Sequence, residues 1–308
     1  MEEHFMHPAL SDHFTGRRPP PALAEKLFDT GLARIADMDA AGIDHQVLSH
    51  QSPGSQQMDG DAAVLACQNA NDVLADIIAA HSTRFSGFAM LPTEEPAAAA
   101  EELDRAINEL KLNGAMIHGR SAGRFLDDQF YWPIFERAEK LGVPIYIHPS
   151  EPDPALTKLL LSPYDDTHPA LTGPAWGFGV ETGTHAIRLI LSGLFERCPD
   201  LQIILGHMGE GLPFWLDRIA DSLSRPGNRP CDFAAYLRNN FHVTTSGFFS
   251  DTALKCCLEI MGPDRVLFAV DYPYASNARA IEWLRHAPVS AKVREAIFET
   301  NATKLLQL

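Results

Sequence analysis

A chain of 308 residues, 45% hydrophobic and 21% charged, carries enough apolar material for one large core and shows no disordered tract. Its net charge of −15, with no basic run, disfavours nucleic acid and anionic membrane as partners, because both select Lys/Arg patches. No stretch approaches the ~18 apolar residues of a membrane span and no signal-peptide pattern opens the chain, so a cytoplasmic location is expected.

Short apolar runs alternate with longer segments of helical period, which calls for a parallel sheet with crossover helices. The first strand of such a fold should run into Glu2-Glu3-His4, yet almost no apolar residues precede it. The pattern therefore predicts a stub, or a chain that has lost a few residues. Ile43 to Ser49 is the next strand candidate, followed by a helix over Asp61 to His81. Phe85 to Leu91 and a helix over Pro96 to Leu110 repeat the unit, as do Ala115 to His118 and a helix over Asp128 to Leu141, with Asp127-Asp128 as its cap. Val143 to His148 precedes the longest irregular stretch, Pro149 to Gly183. Thr184 to Cys198 reads as a helix, Leu201 to Leu205 and Phe241 to Thr245 as strands, Asp251 to Ile260 as a helix and Val266 to Val270 as a strand. With the stub, eight strands complete a (β/α)8 barrel spanning residues 1–308 as a single domain, and no internal repeat or linker divides it. The five cysteines, Cys67, Cys198, Cys231, Cys256 and Cys257, contain no C-x-x-C pair and read as isolated thiols.

In a barrel the loops after strand C-termini share one face, so residues far apart in sequence can meet there. Glu2 with His4, His148, His207 and Asp271 all fall at or just beyond strand ends. Imidazole nitrogens and carboxylate oxygens suit Zn2+, Mn2+ or Fe2+, and an open coordination position makes that metal a Lewis acid. Glu2 and His4, two apart on a strand, point to the same side. His148 ends a buried run, and Pro149 stops the strand behind it. Asp271 follows Val-Leu-Phe-Ala-Val and serves as ligand or proton carrier. His207 sits in Leu-Gly-His-Met-Gly-Glu-Gly with Glu210 three residues on, so it is either a ligand or an acid/base and substrate group oriented by that carboxylate. The segment 149–183 is a candidate lid or substrate wall, which brings His168 toward the mouth. His118 also ends a strand on this face, whereas His185 lies in a helical segment and is expected to be packed.

Taken in order, Glu2-Glu3-His4-Phe5, Val143 to Pro149, His168 to Thr184, Leu205 to Leu212, Thr244 to Gly247 and Asp271 to Pro273 resemble the amidohydrolase-2 group over nearly the whole chain. Within that group they look most like its γ-resorcylate, 2,3-dihydroxybenzoate and 5-carboxyvanillate decarboxylases. The resemblance implies that Glu2, His4, His148 and Asp271 hold one divalent metal, Zn2+ or Mn2+. It matches His207 and Glu210 to a non-ligand pair beside the substrate and Arg218 to a substrate-binding arginine. Hydrolases of the wider superfamily begin with His-x-His; Glu-x-His stands here, which favours decarboxylation of a small hydroxylated aromatic acid over hydrolysis of an ester or lactone. A homodimer or homotetramer is implied as well. Such relatives carry Asn where this chain has His118, so His118 is expected to reshape the substrate pocket, with Phe14 and Phe178 as aromatic walls. The alternatives are a metal-dependent hydrolase or lactonase on the same barrel, and a metal-free binding protein.

Overall fold

A computed structural model describes residues 1–7, 19–164 and 166–308. Phe14 lies outside them. Eight strands follow in chain order: β1 (Glu3–Phe5), β2 (Gln46–His50), β3 (Phe85–Gly87), β4 (Ala115–His118), β5 (Ile145–His148), β6 (Ile203–Leu205), β7 (Phe241–Thr244) and β8 (Val266–Leu267). β1 to β3 form one sheet and β4 to β8 another, and every pairing is parallel. Single parallel bridges span both seams, from Ala89 to Ala115 and from Glu3 to Tyr272, so each strand neighbours the next around the expected (β/α)8 ring.

Alternation along the strands sorts side chains into two cores. Val47, Met116, Tyr146, Ile204 and Leu267 pack together with Phe88 and Ala269 inside the ring. Their neighbours Leu48, Ile117, Ile147, Leu205 and Val243 belong to the larger cluster between the strands and the helices. Two residues beyond Met116 and Tyr146, the inward positions at the strand ends fall to His118 and His148. The apolar filling therefore ends where the polar mouth begins.

β1 is the stub that the sequence predicts, and its neighbours hold it. It pairs with β2 in the register Glu3 to Leu48, His4 to Ser49 and Phe5 to His50. The outward Glu3 carboxylate accepts from Val270 N at 3.0 Å and Tyr272 N at 3.1 Å, and His4 N donates to Tyr272 O at 2.7 Å. Arg34, fully buried, donates to His4 O and to Asp29 O while its guanidinium lies 4.8 Å from the Tyr272 ring centroid. A short strand without apolar lead-in is thus sewn to the segment after β8 by a carboxylate and to a helix by a guanidinium.

Several strands are shorter than expected. Beyond Leu267 the ladder gives way to side-chain bonding: Thr245 Oγ1 donates to Ala269 O at 2.8 Å and accepts from Ala269 N at 3.1 Å. The helix expected over Thr184 to Cys198 runs instead over Gly177–Leu191 and resumes at Leu194–Arg197, broken at Gly193 with φ of 93°. Pro149 to Gly183 is not wholly irregular: Pro154–Leu160 is helical, started by Pro154 and by the Asp153 carboxylate accepting from Ala155 N. Asp128 caps as expected, accepting from Phe130 N at 2.9 Å before the helix Trp132–Leu141, which stops at left-handed Gly142. Among the described residues no helix is long and apolar enough to cross a membrane.

Candidate active site at the strand ends

Glu2, His4, His148 and Asp271 converge from β1, β5 and the end of β8, each offering one ligand atom, all within 4.8 Å of one another. His4 Nε2 lies 3.4 Å from Asp271 Oδ1, and His148 Nε2 lies 3.3 Å from Glu2 Oε1. Glu2 Oε1 and His4 Nε2 are buried and lack a hydrogen-bond partner among the described residues. Buried polar atoms left this way are costly unless something else engages them, and a mixed N/O set aimed at one point fits a divalent cation.

The far atoms of these side chains are held. His148 Nδ1–H donates to Pro149 O at 2.7 Å, which leaves Nε2 with its lone pair toward the centre. His4 Nδ1 lies 3.3 Å from Ser49 Oγ. Tyr146 donates its hydroxyl to Glu2 Oε2 and lies 3.1 Å from Thr244 Oγ1. Burial, reinforced by the Glu2 carboxylate, pushes the Tyr146 phenol well above its ordinary range, so it remains a donor. No role in the site was assigned from the sequence to Tyr146, Thr244 or Ser49. The usable signal was period two, since Tyr146 is the inward residue just before His148.

His207 stands beside the group of four. Its Nδ1–H donates to Glu210 Oε1 at 2.7 Å, and Nε2 faces Glu2 Oε1 at 3.6 Å and Asp271 Oδ2 at 3.8 Å. Burial disfavours the imidazolium, but the Glu210 and Glu2 carboxylates and Asp271 outweigh it and hold His207 well above the ordinary histidine range. Burial likewise opposes ionisation of Glu2, but His207, His148 and His4 prevail and keep its carboxyl well below the usual range. The two carboxylates differ in access: Glu2 is 0% exposed, whereas the Asp271 side chain is 18% exposed.

The backbone here is held away from the common wells. His207, Glu210 and Asp271 have φ of 47°, 54° and 73°, conformations that cost about 1–3 kcal/mol each outside glycine. Gly247 at φ of 58° lets the chain pass close to the site, where an added Cβ would sit 3.1 Å from Asp271 Oδ2.

Other expected site residues are placed differently. His118 does not line an open pocket: it is buried, with Nδ1 3.0 Å from His148 Nδ1 and Nε2 donating to His50 O at 3.0 Å. Alternation turns it inward next to its register partner on β5. Burial and the neighbouring His148 keep it well below the ordinary histidine range, hence neutral. His168 is exposed, its Nδ1 2.9 Å from Thr167 Oγ1 and its ring 6.4 Å from Tyr164. Phe178 is half-buried in the first turn of Gly177–Leu191, where a Cβ on Gly173 would meet its ring at 3.6 Å. The same turn brings Gly179 to the Glu210 carboxylate, within 3.2 Å of where a Cβ would stand. Arg218 is exposed on the helix Leu212–Leu223, near exposed Phe214 and Trp215, and has no hydrogen-bond or ion-pair partner among the described residues. His185 is packed as expected, its Nε2 accepting from Leu126 N at 2.8 Å.

Comparison with known proteins agrees with this architecture. The amidohydrolase family profile matches residues 7–308. A γ-resorcylate decarboxylase of Rhizobium sp. (strain MTP-10005) is 39% identical, covering 100% of this chain and 97% of that protein. A crystal structure of 2,6-dihydroxybenzoate decarboxylase complexed with 2,6-dihydroxybenzoate is 38% identical with a TM-score of 0.91, covering 100% of this chain and 98% of that one. A dihydroxybenzoic acid decarboxylase from Polaromonas sp. JS666, with bound manganese and the inhibitor 2-nitroresorcinol, is 37% identical with a TM-score of 0.91 over 100% and 96% of the two chains. By full-length similarity and by fold, this chain belongs to the amidohydrolase family.

Proposed function

We propose that this chain is a metal-dependent, non-oxidative decarboxylase, a carboxy-lyase, acting on a hydroxylated aromatic acid of the dihydroxybenzoate kind. The observation that carries the proposal is the convergence of Glu2, His4, His148 and Asp271 within 4.8 Å in a fold shared over its full length with decarboxylases of such acids. These four residues would hold one divalent cation, Mn2+ or Zn2+. When bound, that cation supplies Lewis-acid charge able to draw in adjacent carboxylate and hydroxyl oxygens, an attraction that a chain of net charge −15 otherwise lacks.

The residues divide the remaining work. Glu2, sealed from solvent and tied to Tyr146, stays ionised as a fixed counter-charge. Asp271 is the carboxyl open to an incoming ligand and delivers a proton to the ring carbon that bears the carboxylate. The C–C bond to the carboxylate then breaks, its electron pair restores the aromatic ring, CO2 leaves, and Asp271 regains a proton from solvent. His207, kept protonated by Glu210, donates from Nε2 to a substrate oxygen and steadies negative charge. His168 and Phe178 stay on the substrate-facing loop as its candidate wall. Arg218 is supported by the resemblance; its exposed position with Phe214 and Trp215 suits a homodimer or homotetramer that packs this face against another copy. The acidic charge and the lack of a membrane-spanning helix among the described residues support a cytoplasmic location.

The test is a paired assay of the Mn2+-loaded protein on a panel of dihydroxybenzoates and aromatic lactones. CO2 release from a dihydroxybenzoate is expected. Proton release from a lactone without CO2 from any acid overturns the decarboxylase in favour of the hydrolase.

A further inference from the structure

His118 and His148 are register partners at the ends of β4 and β5. The bonding around them fixes where the protons sit. Carbonyl oxygens only accept, so His118 Nε2 carries the proton it donates to His50 O at 3.0 Å, and His148 Nδ1 carries the proton it donates to Pro149 O at 2.7 Å. His118 Nδ1, 3.0 Å from His148 Nδ1, is then a bare lone pair facing that second N–H. The proton on His148 Nδ1 is shared between a carbonyl and an imidazole, and the lone pair of His148 Nε2 is left for the centre of the site.

The His118 ring is itself locked. Its backbone N–H donates to Gln56 Oε1 at 3.1 Å, and its edge presses so closely on Gly54 that an added Cβ there would lie 2.8 Å from His118 Cδ2. Gly54 has φ of 57° and leaves the space the ring takes. A side chain needed only for bulk would not require an acceptor at Nδ1, a donor at Nε2 and a cleared glycine opposite its edge.

We infer that His118 is a positioning residue for His148: its Nδ1 holds the His148 proton on the side away from the bound cation and fixes the plane of the ligating ring. This rests on the proposed assignment of His148 as a metal ligand. It gives the strand-end histidine a role in setting metal affinity instead of contact with substrate.

The experiment compares Mn2+ affinity, by chelator competition on metal-stripped protein, for the native chain, His118→Leu, His118→Asn and His118→Phe, with thermal melts of the same samples. Asn presents an acceptor oxygen near the place of Nδ1; Leu is of similar size without one, and Phe fills the ring volume without one. Mn2+ binding about 10- to 100-fold weaker is expected in the Leu and Phe variants, with Asn much closer to the native protein. Either acceptorless variant, folded and binding Mn2+ as tightly as native, overturns the inference. So does an Asn variant that is folded and as weak as Leu. If the native protein takes up no Mn2+, or His148→Ala keeps full affinity, the metal-site proposal itself fails, and that result is distinct from a failure of His118 alone.

Discussion

On the floor of the barrel mouth, Glu2, His4, Tyr146 and Thr244 are buried and tied to partners, whereas the bordering segment 149–183 leaves Leu159 75% and Trp176 59% exposed. The floor gathers ionisable groups in a place water does not reach, so each carboxylate and imidazole needs a matching group at a fixed distance. The exposed apolar side chains of that segment carry no such requirement. If segment 149–183 is the substrate wall, chemistry and selection of substrate are carried by separate regions, and residues of that segment can change without disturbing proton positions below. Asp271 belongs to both regions, as a member of the buried cluster with its side chain partly open.

The contrast is broken most severely from the floor. Glu2→Gln removes the fixed negative charge and places an amide against His148 and Tyr146, so Mn2+ binding and activity are both expected to fall to background, as read by metal analysis of the purified variant and by CO2 release. Asp271→Asn is expected to behave differently. It preserves shape and an oxygen but cannot deliver a proton, so turnover should drop roughly 10²–10⁴-fold while metal remains bound. A variant with bound metal and native turnover would remove Asp271 from the proton path and return it to the role of ligand alone.

How much of this was visible in the sequence follows the same division. His148 and Asp271 were legible because each is an ionisable residue ending an apolar run, where burial without a partner is costly, whereas Glu2 and His4 were legible only as a pair two apart on one side of a strand; the four ligand atoms lie within 4.8 Å of one another. The stub β1 was legible as a defect, but its remedy was not: Glu3 reaching Val270 N and Tyr272 N, and Arg34 reaching His4 O, join positions hundreds of residues apart or on a helix that the hydrophobic pattern did not pick out. Tyr146 was hidden because a tyrosine inside an apolar strand looks like core, and only the register of β5 turns its hydroxyl to Glu2. For His118 the strand end was correctly located while its surroundings were not, since closeness to His148 depends on β4 and β5 pairing in register. At the surface, neither His168 nor Arg218 is held by the site residues, and exposed positions carry no burial rule from which placement could be derived.

Two further measurements sharpen the account of the floor. Tyr146→Phe deletes the donor to Glu2 Oε2 but keeps the ring, and Mn2+ affinity is expected to fall by about 10- to 100-fold with the fold intact, measured by chelator competition and a thermal melt. Metal uptake should also depend on pH in a definite direction. In the metal-free protein His207 is raised well above 6.5 by Glu210 and Glu2, and a cation held beside Glu2 would draw that value down while Glu210 still favours the proton. Binding therefore releases protons and tightens as pH rises through the interval above 6.5, which titration calorimetry in buffers of different ionisation enthalpy counts directly. The same pairing stabilises the metal-free fold fully below 6.5 and is lost as pH rises through the elevated value.

The smallest effect is expected on the wall, and it is the one that decides whether wall and floor are independent. Leu159 sits in the helix Pro154–Leu160, which has no buried residue, and Leu159→Ser removes an apolar side chain that is 75% exposed. Stability should stay within about 0.5 kcal/mol and Mn2+ affinity should be unchanged. A shift in KM across a panel of aromatic acids, with kcat held, would place this helix at the substrate entrance. Loss of a dimer or tetramer on gel filtration would place it between copies instead. Weakened Mn2+ binding would show that the segment supports the buried ligands after all, through Ser150 beside Gly119 or Gly179 beside Glu210, and the separation of chemistry from selection would no longer hold.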